Sequence, residues 1–178
     1  FVREVENGEI VYVENDELRS IKPFPPKKIR PCVFEYIYFS RPDSILSGKT
    51  AYEYRKNFGQ QLAKEDKIEA DLVVPVPDSG NAAALGYAEE RGLKFDLGLI
   101  RNHYVGRTFI EPSQQIRSLG VKLKLNPNIS VIKEKRIILV DDSLVRGTTS
   151  SKIVKMLYDS GAKEVHVRIA SPEIKFPD

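Results

Sequence analysis

One cysteine, one methionine, two histidines and no tryptophan leave this chain of 178 residues few of the usual side chains for redox or metal chemistry. The lone thiol, Cys32, can close no internal disulfide and cannot by itself hold a metal cluster; this fits a reducing compartment and predicts a cytoplasmic protein. Long apolar runs are missing too. None approaches the roughly 20 residues of a membrane span and no signal peptide is visible, so no membrane role is expected. Neither sign of charge dominates, because 28 Lys and Arg against 25 Asp and Glu leave a formal +3. No polybasic signature stands out, and no nucleic-acid partner is expected. The apolar fraction of 41% is compatible with one well-cored domain and an appendage.

What is present centres on residues 137–149. Ile137-Ile138-Leu139-Val140 is apolar at every position, which reads as a strand covered on both faces, as in a parallel sheet. Asp141 and Asp142 end it, at what is expected to be its exposed end. Ser143-Leu144-Val145-Arg146-Gly147-Thr148-Thr149 then leads into a helical pattern with Ile153, Val154, Met156 and Leu157 near one face and Gly161 as its stop. The loop amides and the helix N-terminus can hold a phosphate, helped by the hydroxyls of Ser143, Thr148 and Thr149. Gly147 allows close backbone approach. Two adjacent carboxylates suit vicinal hydroxyls, or a magnesium ion shared with the ligand. A phosphate with a diol a few ångströms away describes a ribose 5-phosphate.

This stretch resembles the phosphoribosylpyrophosphate (PRPP) motif of the type I phosphoribosyltransferases. The resemblance implies an α/β fold with a mostly parallel sheet flanked by helices. It also implies that Asp141 and Asp142 serve the ribose hydroxyls and that Ser143 to Thr149 wrap the 5-phosphate.

A second strand, Leu72-Val73-Val74, runs into Pro75-Val76-Pro77-Asp78-Ser79-Gly80-Asn81 and an alanine-rich helix ending at Gly92. Loops at the carboxyl ends of parallel strands line the ligand crevice. The loop could be an ordinary cap by Ser79 or an anion loop, and its company favours the latter. In the phosphoribosyltransferases the equivalent loop, here Pro77, Asp78, Ser79 and Gly80, holds pyrophosphate, with the Ser79 hydroxyl near magnesium.

Elsewhere, residues 1–22 read as β-structure with Asn7-Gly8 as a hairpin turn and Ile10, Tyr12 and Leu18 as strand residues. Lys22 to Pro31 carries four prolines and four basic residues and reads as a linker. Cys32 to Phe39 reads as an apolar strand, with the Cys32 thiol buried. A helix is expected from a Ser47 cap, carrying Ala51, Tyr54, Phe58 and Leu62. Phe95 to Ile100 reads as a strand, and a helix is expected from Pro112 through Leu119. Residues 165–169 alternate as a last strand, with His166 in a structural role. The start at Phe1, within an apparent strand, suggests a fragment of a longer protein.

Three segments in order, FEYIYFSRPDS (34–44), RNHYVGRTFIEPSQQIR (101–117) and IILVDDSLVRGTTS (137–150), are similar to the amidophosphoribosyltransferase family of purine synthesis. The resemblance implies that residues 101–110 fold over bound PRPP and that Arg101 and Arg107 lie near pyrophosphate. It implies that Tyr104, Phe109 and Ile110 line an ammonia channel. Ser79, Asp141 and Asp142 become the magnesium-side groups. Where the family often has Lys and Arg, this chain has Arg101 and His103. The family also implies homo-oligomers and an N-terminal glutaminase domain, of which residues 1–31 would be the last strands and linker. Residues 32–178 would be the phosphoribosyltransferase domain without its C-terminal helices. Some members hold an iron–sulfur cluster; Asp178 stands where those often carry a cysteine, so none is expected here. The reaction implied is displacement of pyrophosphate from PRPP by ammonia. Transfer to a nucleobase and non-catalytic PRPP sensing are the rival readings.

Overall fold

The computed structural model describes residues 3–104 and 124–173, in two compact units divided after Cys32. In the first unit, β1 (Ile10–Glu14) and β2 (Glu17–Ile21) form an antiparallel hairpin. Its turn is Asn15-Asp16, both at positive φ (50° and 61°), and not the expected Asn7-Gly8, which makes a separate turn before β1. Asn and Asp tolerate the left-handed region that a two-residue hairpin loop requires, so either dipeptide could have served.

The second unit is built on β5 (Leu72–Pro75) and β9 (Arg136–Asp141), which pair in parallel with Val73 beside Ile138 and Pro75 beside Val140. β10 (Glu164–Ile169) and β6 (Lys94–Phe95) flank them in the order β10-β9-β5-β6, all parallel. Alternation along the central strands divides the core in two. Leu72, Val74, Ile137 and Leu139 pack with Ile153 and Leu157 of α3 (Thr148–Asp159). Val73, Ile138 and Val140 pack on the other face against Ala83, Ala84 and Tyr87 of α2 (Asn81–Arg91). No helix among the described residues is long and apolar enough to cross a membrane.

Further sequence expectations are corrected by the second unit. Residues 35–39 form a π-helical turn rather than a strand. A short apolar run does not distinguish the two by period, and packing decides: Tyr36 stacks edge-on against Tyr54 with ring centroids 4.8 Å apart, and only Ile37 is buried. Arg55 supplies what a helix end lacks, donating from Nε to Tyr36 O (3.0 Å) and from Nη2 to Ser40 O (2.7 Å). The following helix, α1 (Ala51–Glu65), is capped by Thr50 in a reciprocal capping box with Glu53, not by Ser47. Ser47-Gly48 instead turns a small hairpin between β3 (Ile45–Leu46) and β4 (Lys49–Thr50). The buried stripe of α1 is Ala51, Arg55, Gly59 and Ala63, while Tyr54, Phe58 and Leu62 are half-buried.

Residues 95–100 are not one strand. β6 ends at Phe95, and β7 (Leu99–Arg101) pairs antiparallel with β8 (Leu125–Pro127). The chain must pass Gly98 between them, where a Cβ would lie 2.7 Å from a Val74 methyl. Cys32 is exposed, not buried, because the strand expected to bury it does not form. The helix expected over 112–119 lies outside the described residues.

One brace ties the unit together. Asp66, after α1, accepts from the Tyr87 hydroxyl at 2.6 Å and from Arg168 Nε of β10. The Arg168 guanidinium holds the Asp66 carboxyl well below the usual carboxylate range. A depressed carboxylate contributes stability above its unfolded pKa of about 4 and loses it as pH falls through the folded value. Asp66→Ala is expected to cost about 3 kcal/mol at pH 7, because it strands the mostly buried Arg168 charge. Denaturant titrations at pH 7 and pH 3 check this: the gap between the two proteins should narrow in acid.

Candidate functional site

The carboxyl ends of β5 and β9 are neighbours, and their loops meet there. Val76 N donates to Val140 O (2.9 Å), drawing the loop of residues 76–80 across β9. Gly80 permits that approach, since a Cβ on it would lie 2.4 Å from Val140 O. From the other side, Ala170 N and Ser171 N donate to Asp141 O and Asp142 O, both at 2.9 Å. The backbone of the acid pair is thus held by the chain beyond β10 as well as by its own strand. The Pro77–Asp78 peptide within the loop is cis.

Both acids are 8% exposed, so the expectation of an exposed strand end is corrected: parallel neighbours on each side cover them. Asp141 Oδ1 accepts from Asp142 N at 2.9 Å. Burial, and then the adjacent Asp142, push the Asp141 carboxyl above the usual carboxylate range. Ser79 Oγ donates to Asp142 Oδ1 at 3.4 Å, and Asp142 Oδ2 is buried with no partner among the described residues. An orphaned carboxylate oxygen beside a hydroxyl is a demand for a cation or a ligand hydroxyl. The residues therefore fit magnesium held partly by its ligand. No cluster of three or more His, Cys, Asp or Glu among the described residues offers an all-protein cage.

Beyond the acids, Ser143 and Gly147 are half-buried, whereas Leu144, Val145, Arg146, Thr148 and Thr149 point outward. Gly147 adopts φ 70° at the head of α3, with no side chain capping that helix. Ser151 N donates back to Gly147 O (2.9 Å), so amides at the very start of α3 lack partners within the helix and face the loop. Arg101, at the end of β7, forms an ion pair with Asp78.

The structure thus gathers Asp78, Ser79, Gly80, Arg101, Asp141, Asp142 and the 143–149 loop. Tyr104 is fully exposed, with its amide donating to Asn102 Oδ1 at 3.0 Å. Arg107, Phe109 and Ile110 lie outside the described residues. Arg55 was missed by the sequence reading. It is 7% exposed, burial lowers its pKa, and the charge of Asp142 opposes that shift. Its signal was a lone charge at helical spacing with Ala51, Gly59 and Ala63.

No protein-family model matches the chain. The amidophosphoribosyltransferase of Rhizobium etli is 58% identical over 183 residues, covering 100% of this chain and 37% of the relative. The chloroplastic amidophosphoribosyltransferase 1 of Arabidopsis thaliana is 57% identical, covering 98% of this chain and 31% of that protein. The Mycobacterium leprae amidophosphoribosyltransferase is 52% identical, with 99% and 32% covered. Among solved structures, the glutamine PRPP amidotransferase of B. subtilis complexed with ADP and GMP superposes with a TM-score of 0.85 at 50% identity, covering 99% of this chain and 39% of that one. A structure described as the allosteric regulatory enzyme of purine biosynthesis matches with the same TM-score and identity. The fold is the α/β type I phosphoribosyltransferase fold. The chain spans only 31–37% of the length of these curated relatives, and over that span it is similar to amidophosphoribosyltransferases.

Proposed function

We propose that this chain carries the phosphoribosyltransferase chemistry of an amidophosphoribosyltransferase, displacing pyrophosphate from PRPP with ammonia to give 5-phosphoribosylamine, the first committed step of purine synthesis. The observation that supports this best is the buried acid pair, with one orphaned oxygen, between two anion-type loops on adjacent parallel strands. Asp141 and Asp142 would take the ribose hydroxyls. Ser143 to Thr149 would wrap the 5-phosphate with amides and hydroxyls. Pro77 to Gly80 would cradle the pyrophosphate.

No covalent nucleophile is needed. The sugar passes through an oxocarbenium-like state, and the protein's share is to fix the ribose, neutralise the leaving group and exclude water. Magnesium, when bound near Ser79, Asp141 and Asp142, supplies neutralising charge for the leaving pyrophosphate. Arg101 and Arg107 supply fixed positive charge beside it. Tyr104, Phe109 and Ile110 keep the channel role that the family likeness implies. On the same grounds residues 1–31 close a glutaminase domain that delivers ammonia from glutamine, residues 32–178 form the transferase domain, and the protein acts as a cytoplasmic homo-oligomer without an iron–sulfur cluster in this chain.

The test is the choice of acceptor. With PRPP and magnesium, pyrophosphate release should be stimulated by ammonium chloride and not by free nucleobases. The rate should rise with pH at constant total ammonium, because only neutral ammonia has a lone pair for attack. Stimulation by a nucleobase alone would make the chain a salvage-type transferase; PRPP binding without release would make it a sensor.

A further inference from the structure

The ion pair between Arg101 and Asp78 joins the end of β7 to the loop after β5, through Nη1 and Oδ2, and no other described contact between side chains links these two segments. Its placement is at odds with simple anion binding. Asp78 stands in the loop assigned to pyrophosphate, where it is a like charge for the ligand and also occupies the arginine. The side chains remain 40% and 51% exposed, so the pair is weak and easily exchanged. A guanidinium on phosphate oxygens makes a stronger, charge-assisted contact, and Arg101 should leave Asp78 when a polyphosphate arrives. That exchange frees a carboxylate beside the polyanion, in a site already acidic from Asp141 and Asp142. A divalent cation carried by the polyphosphate removes the repulsion; without the cation nothing on this loop does.

We propose that Asp78 is a specificity-determining residue that makes this site favour polyphosphate as its divalent-metal complex, by pairing with Arg101 and by repelling the bare anion once Arg101 has moved to the phosphates. The inference rests on the pyrophosphate assignment made above. It is tested by calorimetric binding of inorganic pyrophosphate to the full chain, with excess magnesium and with EDTA. The unsubstituted chain should prefer the magnesium complex. Asp78→Asn should raise metal-free affinity roughly five- to tenfold while changing magnesium-dependent affinity much less, so that the preference shrinks. Arg101→Gln should weaken binding under magnesium. Equal weakening of both conditions by Asp78→Asn, an unchanged metal-free affinity, or indifference to Arg101→Gln would each overturn the proposal. Failure of the unsubstituted chain to bind pyrophosphate under either condition would overturn the pyrophosphate assignment itself, and this inference with it.

Discussion

Asp142→Asn is expected to lower kcat/KM for PRPP by roughly 10- to 100-fold while leaving the protein folded, from a loss of about 1.5–3 kcal/mol of charge-assisted bonding. Asp142 offers one oxygen to Ser79 and keeps the other buried with no partner among the described residues. An amide there turns an acceptor into a donor at the point where a ribose hydroxyl or a cation must be met. Packing is unaffected, because Ile137 to Val140 supply the apolar burial of β9. Asp141 adds a signature in pH. Its carboxyl is raised, so the folded state binds a proton that the unfolded state has lost. Stability of the ligand-free protein therefore falls as pH rises from the ordinary carboxylate value towards the raised one, and is flat above it. Asp141→Asn should abolish that fall and match or exceed the unsubstituted chain in thermal stability at pH 8, while losing activity. Kinetics with both single variants, paired with melting curves at pH 5 and pH 8, check the two effects together. Normal kcat/KM in both variants would remove the site assignment.

Gly59→Ala and Gly86→Ala are each expected to destabilise the chain by about 4 kcal/mol or more, or to prevent folding. The α1–α2 crossing is closed through these two positions. A Cβ on Gly59 would lie 1.8 Å from Ala83 O, and one on Gly86 2.0 Å from Lys56 O. Both obstacles are backbone carbonyls of the facing helix, which cannot swing aside as a side-chain end can. The gain in helix propensity from Gly to Ala, about 1 kcal/mol, is too small to compensate. The consequence reaches the site, because α2 begins at the anion loop and any separation of the helices moves Gly80 off Val140. Asn57→Ala, on the exposed face of α1, is the control and should be neutral or slightly stabilising. Urea titrations of the three variants check the ranking. A fully stable Gly59→Ala protein would show that the helices lie farther apart than described.

The parts of the fold and site visible in the sequence were those written contiguously. Ile137 to Thr149 holds strand, acids, loop and helix start in one run, and each step has a local physical cause. The same is true of Leu72 to Gly92. What escaped was decided by partners distant in sequence. Residues 35–39 became helical because Tyr54 and Arg55 of α1 receive them. Thr50 rather than Ser47 caps α1, since Ser47-Gly48 was already committed to a turn, and the matching Glu53 was the overlooked clue. Burial of the acid pair depends on β5, β10 and their loops, none of which is adjacent to it in the chain. The meeting of Asp78 with Arg101 spans 23 residues and two sheets, and no spacing rule announces it.

The most direct measurement is the bond itself. The chain would be incubated with magnesium, PRPP labelled with carbon-13 at C1, and nitrogen-15 ammonium above neutral pH, and followed by NMR with parallel assay of pyrophosphate. A carbon–nitrogen coupling at C1, with one pyrophosphate released per amine formed and both lost in the Asp141→Asn/Asp142→Asn protein, is the expected result. Ribose 5-phosphate as the only product, or no PRPP consumption by the unsubstituted chain, would contradict it.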